Sequence, residues 1–364
     1  FTAQTLVYGT YAHGYKAGGA QPPGALLLSP GGSDHANPVH PLPFKPEYVD
    51  AFELGTKNLL LDGALTLNTT AFYYNYQNYQ ISEIVDRSAI NQNFNAHVKG
   101  AEVEATWEPI PGLRLNASGG YEDARVANGQ KAIDLMDRTD SANHPDWMVI
   151  KPFLTQASNC IFPVSEVAYL IKLANLFPNA QPSPASQACG VAYYQGYDPV
   201  TYRPYGDPLS GTINVLGGGV ATPAGYPGYD PTTAPNNGAG FDKDLGHHSL
   251  PNAPPFTFSA GAQYSMALTS NWAGTLRGDF YWQDDSWARV FNDNPYDRLR
   301  GYSNVNLSLI FTNQNGWQAM GFIKNVFNTT AITGAFLNSD DSGLTTNVFL
   351  TDPRLIGVRI TKNW

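Results

Sequence analysis

Alternation of apolar and polar side chains with a period of two marks a half-buried strand, and it runs through residues 44–76 of this chain. On the second arm of that stretch Leu65, Leu67, Thr69, Ala71 and Tyr73 fall on one face, and Thr66, Asn68, Thr70 and Phe72 on the other. Asp62-Gly63 separates the arms. Both residues tolerate the positive φ angles of a type I′ hairpin, so a very tight turn is expected there. Each arm runs about a dozen residues. Strands of soluble sheets average ~5–6, whereas a tilted strand crossing a bilayer needs ~9–11.

The same rhythm recurs along the chain. It is present at 5–15, 98–107, 113–123, 255–266, 272–283, 304–311, 317–327 and 353–364. Phe256, Phe258, Ala260, Ala262, Tyr264 and Met266 oppose Thr257, Ser259, Gly261, Gln263 and Ser265. Trp272, Gly274, Leu276, Gly278, Phe280 and Trp282 oppose Thr275, Arg277, Asp279 and Gln283. The pattern predicts ten strands. Short connections at 61–64, 108–112, 268–271 and 312–316 alternate with long ones at 16–47, 77–96, 124–253, 286–301 and 328–352. Outer-membrane barrels have this asymmetry, with short periplasmic turns and long extracellular loops.

Two of the long connections stand out. Residues 77–96, rich in Asn and Gln, read as a polar loop. Residues 124–253 are rich in Gly, Pro, Asn and Tyr and carry no long alternating run. An insertion of this length is usually functional or disordered. Within it, Val167, Leu170, Ile171 and Ala174 recur at helical spacing between Pro163 and Pro178, which predicts one helix over 164–177. Cys160 and Cys189 bracket that helix. No His/Cys metal spacing surrounds them, so a structural disulfide formed in an oxidising compartment is the simplest reading.

Composition supports a wall that partly faces lipid. Charged residues make up 14% of the 364 residues, against about 25% in soluble proteins. No run approaches the ~18 apolar residues of a membrane helix, and a chain that spans lipid without such helices must close its strands into a barrel. The net charge of −9 argues against nucleic acid as a partner. The chain opens on Phe1 rather than Met and shows no signal peptide. It is therefore expected to be processed or to be the C-terminal part of something longer.

Lys45-Pro46-Glu47, then Phe52-Glu53-Leu54-Gly55-Thr56-Lys57, Leu61-Asp62-Gly63 and Phe72-Tyr73-Tyr74-Asn75-Tyr76 follow one another in the hairpin. Gly100-Ala101-Glu102-Val103-Glu104 comes next, Lys324-Asn325-Val326-Phe327-Asn328 lies near the end, and Trp364 closes the chain. In order and spacing these segments resemble the C-terminal part of the β-barrel of TonB-dependent outer-membrane receptors. The resemblance spans nearly the whole chain except 124–253.

Several expectations follow from that likeness. The fold would be all-β, a transmembrane antiparallel β-barrel segment of about ten C-terminal strands out of ~22. It would sit in outer-membrane lipid of a Gram-negative bacterium, with 124–253 as a long extracellular loop. An N-terminal plug domain, the rest of the barrel and the box that contacts TonB would lie outside this chain. The function implied is binding of a scarce extracellular small ligand, a ferric siderophore or similar, for import driven by the TonB energy-coupling complex. The haem receptors of the family carry Phe-Arg-Ala-Pro and Asn-Pro-x-Leu signatures, whereas Asn37-Pro38-Val39 stands here, which disfavours haem. A plug-less passive porin and a surface scaffold or adhesion protein that binds a partner through 124–253 are the alternatives.

No pattern of an enzyme is present: nucleophile elbow, His-Glu-x-x-His pair and phosphate-cradling Gly loop are all missing. No cofactor and no metal site are expected. His247-His248 read as loop histidines, because neighbours in sequence rarely bind one metal well. Asp284, Asp285, Asp293 and Asp297 lack the EF-hand spacing and read as a solvated acidic loop.

Glu53, Lys57, Glu102, Glu104, Arg277, Asp279, Lys324 and Arg359 take the face opposite the apolar one, together with Arg114 and Glu122, and are expected to line a lumen. The two signs balance, which suits a wall packed against a polar plug better than an ion-selective pore. For ligand contact the candidates are loop aromatics: Trp147, Tyr193, Tyr194, Tyr197, Tyr202, Tyr205, Tyr226, Tyr229 and Trp287. Tyr combines a rigid apolar face with a hydroxyl at low entropy cost. An aromatic core that holds the loop together is the competing reading, and it is favoured for most of them.

Overall fold

The structure is a computed structural model, and it describes residues 4–21, 43–85, 88–151, 159–179, 183–193, 229–338 and 343–363. Ten strands form one sheet: β1 (Thr5–Lys16), β2 (Glu47–Leu60), β3 (Leu65–Val85), β4 (Ser88–Ile110), β5 (Leu113–Val126), β6 (Phe256–Ala267), β7 (Trp272–Gln283), β8 (Tyr302–Asn313), β9 (Trp317–Lys324) and β10 (Leu355–Lys362). Each pairs antiparallel with its neighbour in sequence, so the sheet is an unbroken meander. It curves without closing, and β1 and β10 are its two edges. The ten strands and the sides of their connections agree with the alternation read from the sequence.

Three local readings need correction. The connection 77–96 is not a loop: β3 and β4 run on through it, 21 and 23 residues long, as a hairpin standing beyond the rest of the sheet. Asn78 adopts φ +57 and shifts the register between Tyr76 and Tyr79, which breaks a simple count of alternation. The polar side chains that suggested a loop are used within the structure. Asn93 donates to the Asn78 carbonyl at 2.8 Å, and Gln80 donates to the carbonyls of Ala17 and Lys45 at 3.0 and 3.1 Å. Second, the turn keeps its expected bounds of 61–64 but is not a two-residue type I′ turn on Asp62-Gly63: four residues join Leu60 to Leu65. Leu61 and Asp62 both adopt left-handed backbone (φ 54 and 53), Gly63 has φ 91, and the Ala64 N–H donates to Leu61.

Third, the helix predicted over 164–177 exists as α1 (Val164–Leu176), but a second helix, α2 (Pro184–Tyr193), follows it. Cys189 lies inside α2, so the cysteines do not simply bracket one helix. Pro184 at the first position is a start signal, but ten residues with Gly190 among them show too little periodicity to stand out.

Three of the quoted motifs have clear physical causes. In β2 a Cβ on Gly55 would meet the Tyr8 ring at 2.5 Å, and in β4 a Cβ on Gly100 would meet the Phe72 ring at 2.5 Å and the Tyr121 carbonyl at 2.1 Å. Aromatic rings on neighbouring strands lie flat over these glycines, so no side chain fits. Gly100→Val is expected to lose about 1–3 kcal/mol from overpacking, read as a lower yield of heat-stable, folded band in unheated electrophoresis of the purified protein. A yield equal to wild type would show that the Phe72 ring is free to move. At the end of β9, Asn325 turns the chain with φ +48, and its buried amide donates to the carbonyls of Thr329 and Asp352 at 2.9 and 2.8 Å.

The sheet has two chemically distinct faces. The register places Phe52, Tyr73, Val103, Tyr121, Phe256, Phe258, Phe280, Trp282, Leu276, Leu307, Leu309 and Val358 on one. On β10 Ile356, Val358 and Ile360 are 71%, 76% and 67% exposed. A face this apolar is not kept against water in an ordinary soluble domain. Trp107, Trp272 and Trp317 mark its short-turn end, and Tyr121, Phe256 and Trp282 its long-connection end. Trp272 and Trp282 bracket β7, about 33 Å of extended strand. At a tilt near 45° that is about the ~25 Å apolar band of a membrane barrel between its aromatic girdles.

Candidate functional site

On the opposite face polar side chains form a ladder. The register puts Glu53, Lys57, Glu102, Glu104, Arg114, Glu122, Arg277, Asp279, Lys324 and Arg359 all there. Tyr74 donates to Glu53 at 2.8 Å, Ser118 and Ser259 share a hydrogen bond of 2.7 Å, and Lys57 lies 5.7 Å from the centre of the Tyr8 ring. Arg277 grips Asp279 through Nε and Nη2, at 2.9 and 2.6 Å, and reaches Gln263 at 3.1 Å. Asp279 matches Arg277 and the Tyr74 hydroxyl serves Glu53, and the face is polar without carrying one sign.

The buried core lies at the end where the long connections meet. Phe72, Phe94, Ala96, Val98, Val126, Leu245 and Phe291 close the mouth side of the sheet. Above it, the insertion after β5 builds a small lid. The ladder Trp147–Ile150 with Cys160–Pro163 leads into α1, and the Cys160–Cys189 disulfide ties that ladder to α2. Phe162, Leu170, Leu173, Ala188 and both cysteines form its core, together with Ile90 from the β3–β4 hairpin. Burial of an apolar helix face is what holds a 13-residue helix that would be marginal alone in water.

Of the aromatic candidates for ligand contact, the structure brings Trp147 and Tyr229 together. Their rings pack edge to face at 5.8 Å, Phe162 meets Tyr229 at 5.0 Å, and Phe241 meets Trp147 at 5.3 Å. His144 stacks on Phe241 at 3.7 Å. The Tyr229 hydroxyl is buried, no described residue hydrogen-bonds it, and burial raises its pKa. These rings therefore serve as packing inside the lid. Trp287 stands apart, in the two-residue ladder Ser286–Trp287 with Arg298–Leu299. Tyr193 ends α2. Tyr194, Tyr197, Tyr202, Tyr205 and Tyr226 lie outside the described residues.

Sequence reasoning missed an ionic cluster that joins the insertion to the connection after β7. Arg289 donates to Asp134 at 2.7 Å and to both carboxylate oxygens of Asp297, at 3.0, 3.0 and 2.7 Å. Lys243 stands 2.7 Å from Asp293, 2.9 Å from Asp137 and 3.9 Å from Asp134. Burial works to lower the pKa of both cations, and the facing carboxylates outweigh it and raise both. Of the acidic residues of this region Asp297 is buried, against the reading of a solvated loop, whereas the Asp293 and Asp285 side chains stay 43% and 36% exposed. Asp297 is 3% exposed and paired to Arg289, Asp293 pairs with Lys243, and Asp285 with Arg298. His248 Nδ1 lies 3.0 Å from the Val290 carbonyl, and His247 takes a positive φ of 65.

A family model described as TonB dependent receptor-like, beta-barrel matches residues 1–229, more than half of the 364. Among solved structures the chain is similar to the ferric yersiniabactin uptake receptor FyuA from Yersinia pestis. The TM-score is 0.52 at 14% identity, covering 98% of this chain and 34% of that one. It is also similar to the copper transporter OprC, with TM-score 0.51 at 10% identity, covering 99% of this chain and 37% of that one. The chain spans about a third of the length of these structures, and at such identities the likeness is one of fold. With the matched residues reaching from β1 through the lid, the chain belongs to the TonB-dependent receptor β-barrel family.

Proposed function

We propose that this chain is the wall and extracellular crown of an outer-membrane receptor that binds a scarce ligand, a ferric siderophore or similar, for TonB-driven import. The observation that carries the reading is the division of one meander into a bare apolar face and a polar, charge-balanced face, with every long connection at one end. The apolar face meets lipid. The polar face, with Glu53, Lys57, Glu102, Glu104, Arg277, Asp279, Lys324 and Arg359, lines a lumen and packs against a plug. The crown, with the insertion at its centre, faces outward. A chain built this way moves a ligand rather than transforming it.

Uptake tests the function directly. A strain lacking the gene should lose most TonB-dependent accumulation of radiolabelled iron supplied as ferric siderophore, and the full-length gene should restore it. Unchanged uptake across a panel of siderophores would remove the import reading. Orientation is tested separately with a membrane-impermeant maleimide. Tyr296, 80% exposed in the connection after β7, should label as Tyr296→Cys on intact cells, and Asp62→Cys in a short turn only after lysis. The reverse pattern would invert the chain in the membrane.

Lipid contact predicts a difference between neighbouring residues of β6. Phe258→Arg places a charge on the lipid face, which costs ~2–4 kcal/mol at mid-bilayer depth. Ser259→Arg points the same charge to the polar face, beside Ser118. The first should reduce assembled protein in outer-membrane fractions and the second should not. Equal tolerance would mean the faces are assigned the wrong way round.

A further inference from the structure

Four of the five long connections bound one cavity of about 400 Å3. The β3–β4 hairpin contributes Ile81 and Phe94, the insertion Leu135, the connection after β7 Phe291, and the hairpin Ile332–Leu337 with Thr346–Leu350 adds Phe336. This is the size and the predominantly apolar lining of a small-molecule site. Among the described residues two charged groups reach it, Glu83 and Arg289. Arg289 is held on two sides by Asp134 and Asp297. Glu83 accepts a hydrogen bond from Gln92, and no cation pairs with it among the described residues.

Arg138 and Arg289 act on Glu83 from the insertion and the connection after β7, and Asp134 opposes them. Arg138 also donates to the Ala239 carbonyl. Among the described residues, the hairpin that carries Phe336 presents Ala335, Phe336 and Leu337 to the cavity, and the segment before β6 presents Pro251 and Asn252. Burial dominates and pushes the Glu83 carboxyl up to about 7. The cavity therefore offers an apolar body one acceptor whose charge is not already matched.

We infer that this chamber binds the apolar organic part of a ligand bearing a protonated amine, with the amine donating to Glu83 beside Gln92. The inference rests on the receptor reading and names the chemistry its crown selects. An anionic group is disfavoured, because the cation in the cavity wall is committed to two carboxylates. A neutral hydroxyl keeps the hydrogen bond and loses the charge.

Three probes of one shape separate these cases: 2-(2-naphthyl)ethylamine, 2-(2-naphthyl)ethanol and 2-naphthylacetate, titrated by calorimetry into the full-length protein in detergent. Near pH 8.5 the amine should bind about tenfold tighter than the alcohol, as a charge-assisted bond implies, and the acetate weakest. Near pH 5.5, where Glu83 holds its proton and the amine stays charged, that preference should collapse. Glu83→Gln should abolish it at both pH values, and Ala335→Phe, which fills the cavity from the outer hairpin, should weaken all binding. Acetate binding as tight as the amine, a preference unchanged in Glu83→Gln, or no binding at millimolar concentration overturns the inference. Uptake in cells without amine selectivity in this titration would overturn it alone. Amine selectivity without uptake would overturn the receptor reading alone.

Discussion

Arg289→Met is expected to destabilise the crown by about 3–5 kcal/mol, the usual cost of removing one partner from a buried charge cluster. The guanidinium serves Asp134, 1% exposed, and Asp297, 3% exposed, and its Nη2 also lies 3.1 Å from the Met136 sulfur. Without it two carboxylates stay in a dry site, with Lys243 3.9 Å from Asp134. Arg289→Lys is expected to fall in between, because an ammonium lacks the planar fork that meets both carboxylates at once. Removing all three charges together, as Arg289→Met with Asp134→Asn and Asp297→Asn, should recover much of the loss, since well-packed neutral replacements of buried ion pairs are often tolerated. Hydrogen exchange on the purified receptor reads the effect locally: protection should fall at 131–138, 243–245 and 286–299 while the wall strands keep theirs. If Arg289→Met leaves protection in these segments unchanged, the cluster is solvated and contributes little.

The same cluster sets a pH window. Burial works to raise the Asp137 carboxyl, and the hydrogen bonds from Lys243 and Ser141 outweigh it, leaving its folded pKa below 3.8. Its contribution is complete above that value and is lost as pH falls through the lower folded one. The Lys243 ammonium is raised above 10.5, so its contribution is complete below that value and fades only at higher pH. Glu83 runs the other way. Its carboxyl, raised from 4.5 to about 7, binds its proton more tightly when folded, so stability declines between those values and then levels. Glu83→Gln should flatten that decline in a thermal melt of the crown.

How much of this was legible in the sequence depends on what each residue answers to. A wall strand carries an apolar face on one side and a polar face on the other, so Phe256, Phe258 and Phe280 alternate with Thr257, Ser259 and Asp279, and ten strands could be counted. The crown obeys other rules. In the β3–β4 hairpin, Gln80 and Asn93 are polar because they bond loop backbone, and composition alone made that segment resemble a loop. The Arg289 cluster joins residues 155 positions apart in sequence, with no local period to reveal it. Cavity residues such as Ile81, Leu135 and Phe336 come from three separate connections. The aromatic candidates crowd one part of the sequence, and the two that come together, Trp147 and Tyr229, pack on each other inside the lid.

The disulfide carries the other large effect. Cys160 and Cys189 are linked across 29 residues, a loop whose closure is worth about 3–4 kcal/mol in the chain-entropy model. The bond joins the edge of the ladder Cys160–Pro163 to α2, and α1 lies inside the loop it closes. Leu170 and Leu173 of α1 and Ala188 of α2 face the cystine across one small core. Ile133, Leu135, Ile150 and Ala239 of the same insertion complete that core, with Ile90 from the β3–β4 hairpin and Leu337 and Leu344 from the hairpin before β10 at its margin. Losing the bond therefore frees the lid as a unit and leaves the wall alone. Cys160→Ser with Cys189→Ser, or reduction of the native protein, should keep the heat-stable barrel band in unheated electrophoresis. Limited proteolysis should then cut between Asn143 and Asn237 at least tenfold faster, since about 3–4 kcal/mol corresponds to more than a hundredfold rise in open lid when opening precedes cleavage. Ligand affinity should fall if the lid takes part in recognition. Mass spectrometry finding both thiols free in protein from intact outer membranes would end the idea at its first step. An intact disulfide combined with unchanged uptake after removal of 144–236 would leave the lid a structural cap without a part in recognition.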